Sequence, residues 1–204
     1  MVDEIRQLFT EPAFLVGLGI LAVVTGVIVA KKMTDKPSRT VIFSLLLYIY
    51  VYVMFSRIVG APTLDQWRST IESGGNIFSP VFNFELLAYG FTRGYVLNIF
   101  MFIPVGMMVP CICRRYEKVI PAVLFALGLS LFIECFQMFT GYRATDVDDL
   151  VTNTLGGIIG YCLYRLGDLM KLFKKRGKKR KGEDICNQIP VFAVVIAFVC
   201  VFFG

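Results

Sequence analysis

Apolar and polar positions alternate along this chain in long blocks, with no two-residue rhythm. Apolar runs cover positions 13–30, 41–59, 95–113, 119–140, 150–170 and 189–203, with short polar turns between most of them. Each approaches the ~20 residues a helix needs to cross a hydrocarbon core of ~30 Å. The pattern predicts an all-α, polytopic membrane helical bundle of six transmembrane helices without a soluble domain. The last run is short, so five spans is the alternative. Pro104 and Pro110 fall inside the third run, where each removes a backbone donor and bends a helix. A bend at Pro104 either opens a cavity in the outer half of the bundle or adjusts packing. Pro121 falls in the first turn of the fourth run, where proline is tolerated.

Composition agrees with a membrane protein: 56% of the residues are hydrophobic and the mean hydropathy is +0.69. Asp3 and Glu4 stand where a cleavable signal peptide would carry basic residues, so the first run is read as a retained span. Basic residues gather in alternate connections. Lys31, Lys32, Lys36 and Arg39 follow the first run, and Arg114, Arg115 and Lys118 follow the third. A dense run at 171–181 follows the fifth. Arg6, Arg68, Arg93 and Arg143 are spread over the others. By the positive-inside rule the dense connections are cytoplasmic and both termini lie outside. The net charge of +6 is therefore mostly cytoplasmic. The 171–181 run suits anionic lipid headgroups, at roughly 1 kcal/mol per charge near the surface. No recognition module accompanies it, so no nucleic-acid partner is expected.

The chain has six cysteines and no histidine. Cys111, Cys113, Cys135, Cys162, Cys186 and Cys200 lie mostly within or beside spans and imply no disulfide framework. The absence of histidine excludes Ser-His-Asp hydrolases, histidine-dependent lipid phosphatases and His-ligated zinc peptidases. The one sizeable outside connection, 60–94, mixes aromatic and polar residues, Trp67 among them, and suits the headgroup level. No internal repeat of hairpin length is present, which counts against an inverted-repeat transporter.

The candidate chemistry sits at the outer end of three spans. The third enters from outside and begins near Asn98. The fourth runs outward and ends near Glu134 and Gln137. The fifth enters again, preceded by Arg143, Asp146, Asp148 and Asp149 and followed by Asn153. A helix from Asp146 onward places Asp149, Asn153, Gly156 or Gly157 and Gly160 on one face. Glu134 has apolar sequence neighbours and costs on the order of 3 kcal/mol if left charged at membrane depth. Arg143 can bridge it to Asp146 or Asp149, while Gln137 and Asn153 donate to the remaining oxygens and Ser130 extends the polar face inward. Structural readings stand beside these. Thr145 with Asp148 reads as a capping box, and interhelical hydrogen bonds hold membrane bundles without further function. The glycines read as a helix contact surface. Two carboxylates in unequal environments can divide acid and base roles, and their oxygens suit Mg²⁺ or Ca²⁺. Arg143 competes for those oxygens and no dedicated spacing is present, so no metal and no cofactor are expected.

At these residues the chain resembles the VanZ family of small bacterial membrane proteins. The matching pieces are Asn98-Ile99-Phe100-Met101-Phe102-Ile103-Pro104-Val105-Gly106, Glu134-Cys135-Phe136-Gln137, and Arg143-Ala144-Thr145-Asp146-Val147-Asp148-Asp149 with Asn153, Thr154, Gly156, Gly157 and Gly160. In the outside loop the family's Pro-Phe is Pro80-Val81 here. The resemblance implies a VanZ-like bundle over 45–165. It leaves residues 1–44 as an N-terminal region with the first span, and 166–204 as a basic cytoplasmic segment with the final span. It further implies a bacterial cytoplasmic membrane protein, and a link to lowered susceptibility to teicoplanin-type glycopeptide antibiotics. It transfers no catalytic residue, only a shared polar patch.

The leading expectation is an envelope protein whose outer-leaflet patch of Asn98, Glu134, Gln137, Arg143, Asp146, Asp149 and Asn153 binds an amphiphile. Membrane lipids, lipid-linked cell-wall intermediates or a lipoglycopeptide are the candidates. The alternative is an enzyme on a lipid-linked substrate, with Glu134 as acid or base and Arg143 gripping a phosphate. A third reading is a structural subunit of a larger complex, built on the glycine face. The sequence names no protein partner.

Overall fold

The computed structural model describes residues 7, 9–78, 80–83, 92–140, 144–172, 177 and 181–204. The chain is a multi-pass membrane protein of helical class. Among the described residues, five helical stretches are long and apolar enough to cross a bilayer. They are α1 (Pro12–Ala30), α2 (Pro37–Val53, continued by the π-helical turn Met54–Val59), α4 (Arg93–Ile112), α5 (Val119–Gln137) and the C-terminal helix. That last stretch joins a short turn, α7 (Glu183–Cys186), to α8 (Ile189–Phe203), which is how the short final apolar run reaches spanning length.

The expected fifth span, α6 (Val147–Leu169), differs from the others. Its 23 residues give it spanning length at ~1.5 Å per residue. Asp148, Asp149, Asn153, Arg165 and Asp168 keep it out of the apolar set. Polar residues in such a helix are tolerated where they face protein. Here Asp148 and Asn153 are buried, together with Gly156, Gly157 and Gly160.

The chain divides into two compact units. The first comprises Met1–Leu64 with Arg176–Gly204, in which α1, α2 and α8 pack on one another. Phe14, Tyr48 and Tyr52 form its aromatic centre, with ring centroids 5.7 Å apart for Phe14–Tyr48 and 5.0 Å for Phe14–Tyr52. Buried hydroxyls need partners. Tyr48 donates to the Phe14 carbonyl at 2.9 Å, and Tyr52 donates to Glu11 at 2.7 Å. Glu11 also pairs with Arg57 of the π-helical turn at 3.7 Å.

The second unit comprises Asp65–Lys175. Its main packing is α4 on α6, with α5 covering α6 from another side. The seam is built on glycines. A Cβ added at Gly156 would meet the Ile99 carbonyl, one at Gly160 the Ile103 carbonyl, and one at Gly106 the Gly157 carbonyl. On the α5 side, Gly157 faces Ala126. Backbone thus meets backbone along the seam, as small-residue packing between membrane helices allows. The glycine face read from sequence is this contact. α4 continues through Pro104 and Pro110 as one helix. At its far end a short 3₁₀ turn, Arg114–Glu117, leads into α5. There the Tyr161 hydroxyl donates to the Glu117 carbonyl at 2.9 Å. Burial pushes the nearby Tyr116 phenol above its ordinary pKa, with Arg115 opposing the shift.

The helical pattern did not foretell a small parallel strand pair. β1 (Val81–Asn83) lies against β2 (Ala144–Asp146), with Val81 opposite Ala144 and Asn83 opposite Asp146. It ties the 60–94 connection to the start of α6. Before it comes α3 (Leu64–Glu72), an amphipathic helix with no buried residue. The Trp67 indole donates to the Phe139 carbonyl at 3.2 Å, and the Phe78 ring packs tilted against Phe139 with centroids 5.2 Å apart.

Candidate functional site

The polar residues meet where α4 and α6 begin and α5 ends. α6 starts because Asp146, in extended conformation, accepts the Asp148 backbone N–H on its carboxylate at 2.9 Å. Such a cap satisfies one orphan donor of the first turn. Asp148 and Asp149 follow in that turn, where the helix dipole favours negative charge. Each is also held from α4. The Tyr95 hydroxyl donates to Asp148, and the Asn98 amide donates to Asp149 at 2.6 Å. Tyr95 and Asn98 are three residues apart on α4, so one face of that helix supplies both donors.

Glu134 enters from α5. It is only 2% exposed, and its carboxylate accepts the Asp146 backbone N–H at 3.1 Å. The second oxygen of Asp146 accepts the Asn83 amide from β1 at 3.2 Å. One turn deeper on α6, Asn153 donates to Ser130 of α5 at 3.0 Å. Ser130 is itself one turn below Glu134. Four carboxylates and their amide and hydroxyl donors therefore converge from three helices and a strand.

Of the seven residues chosen from sequence, Asn98, Glu134, Asp146, Asp149 and Asn153 belong to this network. Gln137 is buried in the last turn of α5, but among the described residues no hydrogen bond joins its amide to the carboxylates. Arg143 lies outside the described residues, and with it the bridge to Glu134. Asn153 binds Ser130 rather than a carboxylate oxygen. The capping box needs correction. The N-cap is Asp146, not Thr145, and Asp148 accepts the Tyr95 hydroxyl. Strand pairing keeps residues 144–146 extended, so the helix opens one position later than the Thr145–Asp148 spacing suggested.

Sequence reasoning missed Tyr95 and Asn83. Tyr95 carried a signal: it lies three residues before Asn98, at the end of α4 that meets Asp148 and Asp149. Asn83 carried none, because only the strand pair brings it near Asp146.

Chemically, the described part of the cluster is rich in acceptors. Charge-assisted hydrogen bonds contribute about 1.5–3 kcal/mol each, which suffices to hold several acids at this depth. One polar atom stays apart. The Asn153 carbonyl oxygen is buried and has no hydrogen-bond partner among the described residues.

No solved structure matches the chain. A relative, Protein VanZ of Enterococcus faecium, is 34% identical over 143 residues, covering 65% of this chain and 83% of its own length. The family model described as VanZ/LLP1 matches residues 14–173, so the match takes in α1 as well as the whole polar cluster. With well over half its length matched, the chain belongs to the VanZ/LLP1 family.

Proposed function

We propose that this protein is a VanZ-like envelope protein of the bacterial cytoplasmic membrane whose polar cluster binds an amphiphile at the outer leaflet. The polar headgroup is held by Glu134, Asp149, Asn98 and Asn153, with Gln137 of α5 and Arg143 of the connection that follows it, and the tail lies along apolar helix faces. Membrane lipids or lipid-linked cell-wall intermediates are the occupants, and lowered susceptibility to teicoplanin-type glycopeptides is the phenotype. Both termini face outward, following the alternation of basic connections. The observation that carries this reading is the convergence of acids and their amide and hydroxyl donors from α4, α5 and α6 at one helix end, with Glu134, Asp148 and Asn153 buried. Ionisable groups at such depth are retained for function by default.

The test is expression in a glycopeptide-susceptible host, with the inhibitory concentration of teicoplanin as the readout. Wild type raises it. Glu134→Ala and Arg143→Ala return it to the host value at equal membrane abundance. Full protection by both variants would remove the cluster from the function. The burial of Glu134 favours one other reading, acid–base chemistry on a lipid-linked substrate. A product formed from labelled envelope lipids by wild type but not by Glu134→Gln would establish that reading instead.

A further inference from the structure

Among the described residues of the cluster, Asn153 carries a buried polar atom without a hydrogen-bond partner. It is 2% exposed, its amide nitrogen is committed to Ser130 at 3.0 Å, and its carbonyl oxygen is without a partner among the described residues. Exchanging the two ends of the amide does not remove the problem, because Ser130 would then donate to the oxygen and the nitrogen would be stranded. Buried polar atoms are nearly always satisfied, and an exception points to a water or a ligand. The position fits a ligand. Asn153 lies one turn below Asp149 on α6, and Ser130 lies one turn below Glu134 on α5. The orphan oxygen therefore sits at the deep end of the carboxylate cluster.

The groups around it decide what it would accept. Glu134, Asp146, Asp148 and Asp149 bring four carboxylates to this end of the unit, all of them fixed by hydrogen bonds within it. An ionised phosphate offers acceptor oxygens, which the orphan oxygen, itself an acceptor, cannot bond. A hydrogen-bond donor satisfies the orphan oxygen.

Taking the cluster as an amphiphile site, we propose that Asn153 and Ser130 form its deep subsite for a hydrogen-bond-donating headgroup, hydroxyl or ammonium, and not for a phosphate. The chain's single tryptophan offers a readout, because Trp67 is bonded to Phe139, two residues beyond Gln137. The protein is placed in phosphatidylcholine nanodiscs and titrated with dodecyl glucoside, dodecylammonium or dodecyl phosphate while Trp67 fluorescence is followed. Wild type responds saturably to the sugar, the ammonium or both, whichever responds naming the source of the donor, and more weakly to the phosphate. Asn153→Leu weakens the donor headgroups about tenfold, the loss of one hydrogen bond to a buried partner.

Tighter binding of dodecyl phosphate to wild type would overturn the donor subsite while leaving an amphiphile site standing. No response to any of the three would overturn both. Unchanged donor binding by a folded Asn153→Leu would overturn the subsite and leave the oxygen to a buried water. The headgroup ranking is read on wild type alone, so it stands even if the variant does not fold.

Discussion

Replacing Gly160 by alanine should destabilise the second unit, whereas the same change at Gly128 should not. In an exposed helix position, glycine to alanine stabilises by roughly 0.5–1 kcal/mol, because alanine has less backbone freedom to lose. Gly128 of α5 shows that situation, since a Cβ there meets nothing within 4 Å. At Gly160 the added methyl would collide with the Ile103 carbonyl and come within 2.9 Å of the Met107 backbone nitrogen. Neither atom can swing aside as a flexible side chain could, so α4 and α6 must separate. Overpacking of this kind costs typically 1–3 kcal/mol. Separation also stretches the Asn98–Asp149 bond across the same interface, at 2.6 Å in the intact seam. After the propensity gain is subtracted, Gly160→Ala should lie up to about 2.5 kcal/mol below wild type and Gly128→Ala level with it or above. Thermal or denaturant unfolding in detergent, with both variants at equal expression, measures the difference. If Gly160→Ala unfolds with wild type, the backbone contact between α4 and α6 is not what holds the unit together.

Tyr95→Phe removes the hydroxyl that Asp148 accepts and leaves the ring in place. Unfolding should show a loss of about 1–3 kcal/mol, the penalty for a buried acceptor deprived of its donor. Asp146→Ala deletes the cap of α6 and the contact to Asn83 together. It should cost about 1–2 kcal/mol from the cap alone and raise amide hydrogen exchange in β1 and the first turn of α6. A double-mutant cycle between Asn98→Ala and Asp149→Ala should give a coupling of about 0.6–2 kcal/mol, the range found for hydrogen bonds between membrane helices. A coupling near zero would mean their contact is not a stabilising bond.

The helices were legible because the requirement they meet is simple: a long apolar run at the right length. Gly156, Gly157 and Gly160 were legible for a related reason, since small residues at spacings of three and four on one face have few other uses in a membrane helix. The depth agreement of Asn98, Glu134, Asp149 and Asn153 followed from topology alone. What the sequence concealed depends on pairings between distant segments. No periodicity marks Val81–Asn83 as a strand, because three residues carry no pattern. Without that strand there was no reason to expect Asn83 beside Asp146, or to move the helix start from 146 to 147. Ser130 and Asn153 were each placed on the right face, yet their mutual bond required the relative rotation of α5 and α6. Single-helix periodicity does not give that rotation.

The division of labour among the acids follows from the same geometry. Asp146 has one oxygen on the Asp148 N–H and the other on Asn83, while its own N–H goes to Glu134. It joins strand, helix start and α5, and its role is architectural. Asp148 and Asp149 complete the first turn of α6 and receive the donors of α4, so they lock α4 to α6 above the glycine seam. Glu134 is different. It lies on α5, where no helix start calls for an acid, and it accepts the Asp146 backbone N–H across the α5–α6 interface. Asn153 is more polar than its one bond to Ser130 requires. Glu134 and Asn153 occupy adjoining levels of the α5–α6 interface. The proposed headgroup site therefore centres on the α5–α6 interface rather than on the acid-rich turn at the start of α6.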